Sequence, residues 1–390
     1  MKVLRGISYF ECSDTYGSVD VLVKAEKERL GSAGIQYATT CLTLNPPGPP
    51  LSWKELDARW KRGDKTLMRM YEGLEKELEG KDVLINEAGI NLHPEFVAKL
   101  PVFTVFSCMD DPENSHNLSK PAAAAYDLSL VGNIAEVDTY KSWGVRNAEW
   151  IPLGYTPEVC DAGLTYEEIL NGERDIDLFM MIDRMSPWRK PRMDMMHEAF
   201  PDAHFFGKGW PRGFLGNADQ LKYLRRSKIG PNFHNSTGPI NFRTFYLPAN
   251  GVMQICDNKS HLGKIYELGK EVVGFDSVKE CIDLCRYYLD HDRERREIAA
   301  NGWKRATKDY NEVAVYRRKM DLIERYRAKE RGNGRKGQAG IVEIQLAKSR
   351  NRRMAYTAVF PGIFAFRMLK AVLRKAGINK KSLKRFLKPG

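Results

Sequence analysis

The chain has 390 residues, a formal net charge of +12, 43 % hydrophobic and 11 % aromatic residues. That composition buries real cores and excludes a globally disordered polypeptide, and the length exceeds what one core serves, so two domains and a terminal appendage are expected. The charge is not a general basicity, because residues 345–390 hold 13 Lys/Arg and no Asp/Glu and leave the rest near neutral, which argues against a nucleic-acid-binding body.

In chain order, short apolar runs bounded by turn residues occur at 3–7, 36–40, 83–85, 102–106, 128–131 and 148–151, with helical patterns at 19–30 and 57–78 between them. Short, continuously apolar strands alternating with helices predict a parallel sheet covered on both faces. Pro/Gly punctuation over 152–174, including the Asn171-Gly172 turn signal, predicts a domain boundary. The alternation restarts with strands at 176–182, 204–206, 228–233, 252–256 and 271–275, and helices at 192–200, 218–226, 241–250, 278–290 and 292–311. The expected organisation is an α/β N-terminal domain over 1–155, an α/β C-terminal domain over 156–326, and a flexible hinge with a basic tail over 327–390. Two open α/β sheets in tandem place ligands at the carboxyl ends of their strands, in the cleft between them.

The stretch KIGPNFHNSTGPINFRTFYLPANG at 228–251 runs from a strand through a small polar loop into a helix. Free backbone N–H groups and the helix dipole at 236–241 would face an anion, and a diphosphate fits there, with Asn235, Ser236, Thr237 and Gly238 as donor-binding candidates. Arg243, one turn in, adds a charge-assisted bond to the same group. Ser236 and Thr237 can equally serve as helix caps alone.

This run, with its N-x-R-x-F motif (Asn241, Arg243, Phe245), followed by ELGKEVVGF at 267–275 and the helix at 281–290, resembles the CgeB-like (spore maturation) glycosyltransferases. The resemblance covers residues 80–325. It implies the GT-B architecture, two Rossmann-like domains facing each other across a cleft, with a nucleoside-diphosphate sugar of UDP type held mainly on the second domain. It further implies that Ser236, Thr237, Gly238 and Arg243 meet the diphosphate. Many retaining relatives place two glutamates eight positions apart here; the corresponding residues are Gly238 and Tyr246. Tyr246 is left to hydrogen-bond a ribose through its hydroxyl, and retaining and inverting courses both stay open.

The loop FGKGWPRG at 206–213 follows a strand and permits close backbone approach. In this architecture it flanks the nucleobase, which makes Lys208 a phosphate candidate and Trp210 either a stacking platform or a cover for the core. Arg184, Arg189 and Lys190 follow the first strand of the second domain, within reach of the cleft. In the first domain Tyr16-Gly17-Ser18 resembles the glycine turn that sits opposite the donor phosphates, so Gly17 joins the donor candidates. Transfer needs an acceptor oxygen made nucleophilic and a leaving diphosphate whose charge is stabilised. Glu87, Asp110, Asp111 and His116 follow first-domain strands and are the candidate acceptor-side bases, although Asp111 before Pro112 can instead shape a turn. Asp175-Ile176-Asp177 has the spacing of a metal-gripping D-x-D but begins a strand at the domain edge, so no metal site is expected.

Seven scattered cysteines without paired C-x-x-C spacing read as reduced thiols, and the chain opens on a strand rather than a secretion signal. A cytoplasmic setting is expected. The tail at 345–390 interleaves apolar residues and cations at helical spacing, the make-up of an interfacial helix on an anionic membrane surface. No window reaches the ~18 apolar residues that crossing a bilayer requires. The expected activity is sugar transfer to an acceptor hydroxyl, that of a lipid-linked sugar or cell-surface glycan precursor at the inner membrane face. The rival is a catalytically silent nucleotide- or glycan-binding protein on the same scaffold.

Overall fold

A computed structural model describes residues 1–7, 19–44, 51–87, 91–182, 185–187, 189–258, 261–330 and 337–359. Gly17, Arg184 and the tail beyond 359 lie outside the described residues. The first sheet holds β1 (Val3–Ile7), β2 (Ala38–Cys41), β3 (Val83–Glu87), β4 (Phe103–Cys108), β5 (Leu128–Val131) and β6 (Ala148–Trp150), in the order β2-β1-β3-β4-β5-β6 and parallel throughout. Its crossovers carry α1 (Val19–Ser32), α2 (Trp53–Arg62), α3 (Lys65–Glu77), α4 (Pro94–Val97) and α5 (Val137–Ser142). After α6 (Tyr166–Asn171), the second sheet is built from β7 (Ile176–Met181), β8 (His204–Phe206), β9 (Ser227–Asn232), β10 (Met253–Asp257) and β11 (Val273–Phe275), ordered β11-β10-β9-β7-β8 and again parallel. The helices α7 (Lys190–Ala199), α8 (Asn217–Arg226), α9 (Arg243–Ala249), α10 (Leu262–Ile265), α11 (Val278–Asp290) and α12 (Asp292–Asp309) connect and cover it. Two helices end the described chain, α13 (Glu312–Glu330) and α14 (Ile341–Val359).

Alternation along the buried strands sorts the first core into two layers. Leu84 and Phe106 face one side, against Trp60, Leu67, Tyr71 and Phe96 of the α2–α4 layer. Val83, Ile85 and Val105 face the other, against Leu30 of α1 and Val315, Tyr316 and Ile323 of α13. The chain therefore returns after Asn311 to lie under the first sheet, fastened by Arg29 of α1 to Glu312 at 2.7 Å and by Lys319 to Glu87 at 2.9 Å.

Two expectations change. The helix expected over 57–78 is two helices, because Gly63 takes the left-handed conformation (φ 63°) that ends α2 and the Asp64 carboxylate caps the Leu67 N–H of α3. The basic tail is not a free appendage from its start. Ile341 and Val342 of α14 are buried in the α2–α3 layer, Gln345 Nε2 donates to the Trp60 carbonyl at 2.8 Å, and Ser349 Oγ donates to the Arg62 carbonyl at 2.6 Å. Those carbonyls belong to the last turn of α2, which a helix leaves short of donors: the Gly63 N–H reaches the Trp60 carbonyl at 3.1 Å, and the α14 side chains add to it.

Candidate functional site

The chain after β9 forms the mouth of the second sheet. Asn232, its last residue, is the hub: its side-chain amide donates to Gln254 at 2.8 Å, and its carbonyl oxygen accepts from Asn241 and from Arg243 Nε, each at 3.0 Å. Arg243 also donates from Nη1 to the Met181 carbonyl at 3.0 Å and from Nη2 to the Phe233 carbonyl at 3.1 Å. Arg189, buried just before α7, donates to the same Phe233 carbonyl at 3.1 Å. Two guanidiniums thus meet at one oxygen. Burial first, and then the charge of Arg243, pull the Arg189 guanidinium down to about 10, against the opposing pull of Asp257. Burial likewise lowers Arg243.

Asp257, at the end of β10, is engaged by His234. It accepts the His234 backbone N–H at 2.9 Å and lies 2.6 Å from Nδ1, while Nε2 lies 2.8 Å from Thr244 Oγ1. His234, Cys256 and Asp257 bring ligand atoms within 4.8 Å of one another. A cation placed there would break the His234–Asp257 bond beside two guanidiniums, so the trio is poorly suited to a metal. Downstream of His234, the backbone N–H groups of Asn235, Ser236, Thr237 and Gly238 make no hydrogen bond among the described residues. Amides without a protein acceptor are donors available to negative charge. The helix that follows, α9, begins at Arg243 and runs seven residues, with the Thr244 N–H of its first turn donating to Asn241 Oδ1 at 2.9 Å. Loop amides and arginines therefore stand where the helix dipole was expected.

The loop is pressed against the first domain. Asn133, just after β5, donates from Nδ2 to Ser236 Oγ at 2.9 Å and to Thr237 Oγ1 at 3.1 Å, and Thr237 Oγ1 donates to Glu136 Oε1 at 2.5 Å. A Cβ on Gly238 would lie 2.1 Å from Asn133 Oδ1, so only glycine allows this approach. Ser236 and Thr237 are thus neither helix caps nor open hydroxyls.

Several candidates prove to be part of the frame. Trp210 is 8 % exposed, its ring 5.0 Å from Phe205 and 6.0 Å from His197; it covers the core rather than offering a stacking face. Tyr246 packs with Phe179, Met181, Phe206 and Leu247, which removes it from the surface where a ribose would lie. Lys208 is exposed between two glycines of positive φ. Glu87 faces Lys319 at 2.9 Å and Arg5 at 3.4 Å; against the upward pull of burial, Lys319 and then Arg5 hold its carboxyl at about 2, too weak for a base. Asp111 is buried and accepts from Ser119 Oγ at 2.6 Å and from the Tyr140 hydroxyl, bracing the turn after β4. Asp110 and His116 are exposed on that turn, and Asn235 is exposed on the loop. Asp175 and Asp177 pair with Arg226 at 2.5 Å and Lys228 at 2.6 Å. Asn133 and Glu136 escape a motif search, yet asking which residues end β5 at the cleft finds them.

Two parallel α/β sheets whose carboxyl ends meet across a cleft, with the chain returning to the first domain at its end, are the GT-B fold. Residues 189–324 match the glycosyl transferase-like family. The chain is similar in structure to sucrose-phosphate synthase from Thermosynechococcus elongatus (TM-score 0.60, 11 % identity, covering 84 % of this chain and 99 % of that one). It is also similar to Anabaena HepE in complex with UDP-glucose (0.54, 12 %, 83 % and 99 %) and to a glycosyltransferase from Rickettsia africae (0.54, 11 %, 83 % and 98 %). At such identities the likeness is one of fold. No curated protein matches the chain.

Proposed function

We propose that the chain is a glycosyltransferase, of the CgeB-like kind, that moves a sugar from a nucleoside-diphosphate sugar of UDP type to an acceptor hydroxyl. The observation that carries this reading is the meeting of Arg189 and Arg243 at the Phe233 carbonyl, beside four amides unpartnered among the described residues and a carboxylate already engaged by His234. Two guanidiniums sharing one acceptor repel by on the order of 3 kcal/mol at an effective dielectric of ~20. A diphosphate reverses the sign of that term and matches the forked donors. The family match over 189–324 spans this mouth, and the similarly folded HepE was solved with UDP-glucose.

In this reading the bond from the sugar C1 to the diphosphate oxygen breaks while the acceptor oxygen bonds to C1. The acceptor proton passes to an acceptor-side base, for which Asp110 and His116 are the exposed choices, and the electron pair stays on the diphosphate. Arg189, Arg243 and the amides of 235–238 hold that charge where it develops, and no metal is required. The acceptor enters from the first domain, as a lipid-linked sugar or a glycan precursor. Residues 345–390 rest on an anionic membrane surface at the cytoplasmic face, with Lys348, Arg350 and Arg352 exposed on α14. Among the described residues no helix is long and apolar enough to cross a membrane.

A catalytically silent binding protein is the second reading. It is favoured by Tyr246, buried where retaining relatives carry a glutamate. Incubation with UDP-, GDP- and TDP-sugars separates the two: donor hydrolysis or transfer marks the enzyme, and binding without turnover marks the silent protein. Arg243→Gln and Arg189→Gln should each weaken UDP binding about thirtyfold, about 2 kcal/mol for a charge-assisted bond. Unchanged affinity in both variants removes the diphosphate from this mouth.

A further inference from the structure

The contact between the lobes carries an inference that rests on the donor reading above. We infer that Glu136 is a built-in competitor for the donor loop: its carboxylate takes the Thr237 hydroxyl that a donor phosphate oxygen would take, so nucleotide binding displaces it.

Glu136 lies at the start of α5 on the first domain and is 6 % exposed. Among the described residues its carboxylate has no cation partner, and Thr237 Oγ1 at 2.5 Å is its hydrogen-bond donor. A carboxylate withdrawn from water on one hydroxyl is costly unless the local potential is positive. The free amides of 235–238 supply that potential, with Phe233 and its two guanidiniums four residues upstream of Thr237. An acceptor-domain carboxylate thus reaches the segment built for an anion.

Asn133 fixes the arrangement. Its Oδ1 accepts the Ala135 N–H at 3.1 Å, and its Nδ2 reaches the Asp111 carbonyl at 3.1 Å as well as Ser236 and Thr237. One side chain therefore ties the ends of β4 and β5 to the loop, and Gly238 lets the loop lie flush against it. Thr237 itself stays exposed, so a ligand can reach the hydroxyl that Glu136 holds. A diphosphate on the same loop brings like charge against Glu136, and juxtaposed like charges at an interface cost several kcal/mol. Relief comes when the carboxylate turns away from Thr237.

Glu136→Gln keeps the shape and still accepts the Thr237 hydrogen bond while removing the charge. Calorimetric titration of the full chain with UDP and with GDP should show this variant binding about tenfold more tightly than wild type. Asn133→Ala, which loosens the tie but keeps the carboxylate, should tighten binding less. In the wild-type protein, saturating UDP should speed amide exchange at 133–136 as the contact opens. Wild-type binding with equal or weaker affinity in Glu136→Gln, or slower exchange at 133–136 on adding UDP, overturns the competitor while leaving the donor reading standing. A wild-type chain that binds neither nucleotide sinks the donor reading and this inference together.

Discussion

At the end of β3 the Glu87 carboxylate sits between Lys319 of α13 and Arg5 of β1. Its carboxyl is held at about 2 in the folded chain against 4.5 for an ordinary glutamate. Because the folded value is the lower one, the stability it contributes is fully present above pH ~4.5 and drains away as the pH falls toward 2, about 3 kcal/mol in all. Urea midpoints should therefore fall between pH 5 and pH 3. Lys319→Met, which leaves the buried charge less compensated, should cost about 3 kcal/mol at pH 7 and flatten that pH dependence. An unchanged midpoint would show that the pair carries no net stability. The same carboxylate read alone in the sequence looks like a base, since its partners come from residues 5 and 319. Trp210 stayed open between platform and core cover, and Tyr246 was undecidable for the same reason: an aromatic beside a glycine-rich or polar loop looks identical whether its ring faces core or cleft. What residue types did convey was the polar loop of 235–238 and the arginine that follows it.

The strands were the most legible elements, because burial on both faces demands unbroken apolar runs and such runs have few other uses. The runs at 3–7, 128–131 and 204–206 match β1, β5 and β8 residue for residue. Helix periodicity continued through the α2–α3 break and hid it, although Gly63-Asp64 is a terminator followed by a cap. The close seat of α14 depends on that glycine, since a Cβ there would lie 3.0 Å from Ser349 Oγ and 3.1 Å from its Cβ. Gly63→Ala should cost about 1–2 kcal/mol through the strained positive φ and raise amide exchange across 341–349. Protection of α14 equal to wild type would mean that the helix does not need this approach. The stripe of α13 shows that the helix has a buried face but not which sheet it meets, so its return to the first domain could not be read in advance.

Across the whole molecule the end of the chain belongs to its beginning. Stopping the chain after Gly340 would strip Ile341, Val342, Gln345 and Ser349 from the α2–α3 layer. The melting temperature should fall on the order of 5–10 °C, given about 1.5–3 kcal/mol for each large buried apolar side chain. Stopping after Val359, which keeps the α14 cations and removes the basic residues from Arg367 onward, should weaken flotation with anionic vesicles; vesicles that fail to retain the full chain remove the membrane reading. The seat of α14 also settles which half is tethered. Whatever gripped Lys348, Arg350 and Arg352 would moor the first domain, and the second would be the one left to swing.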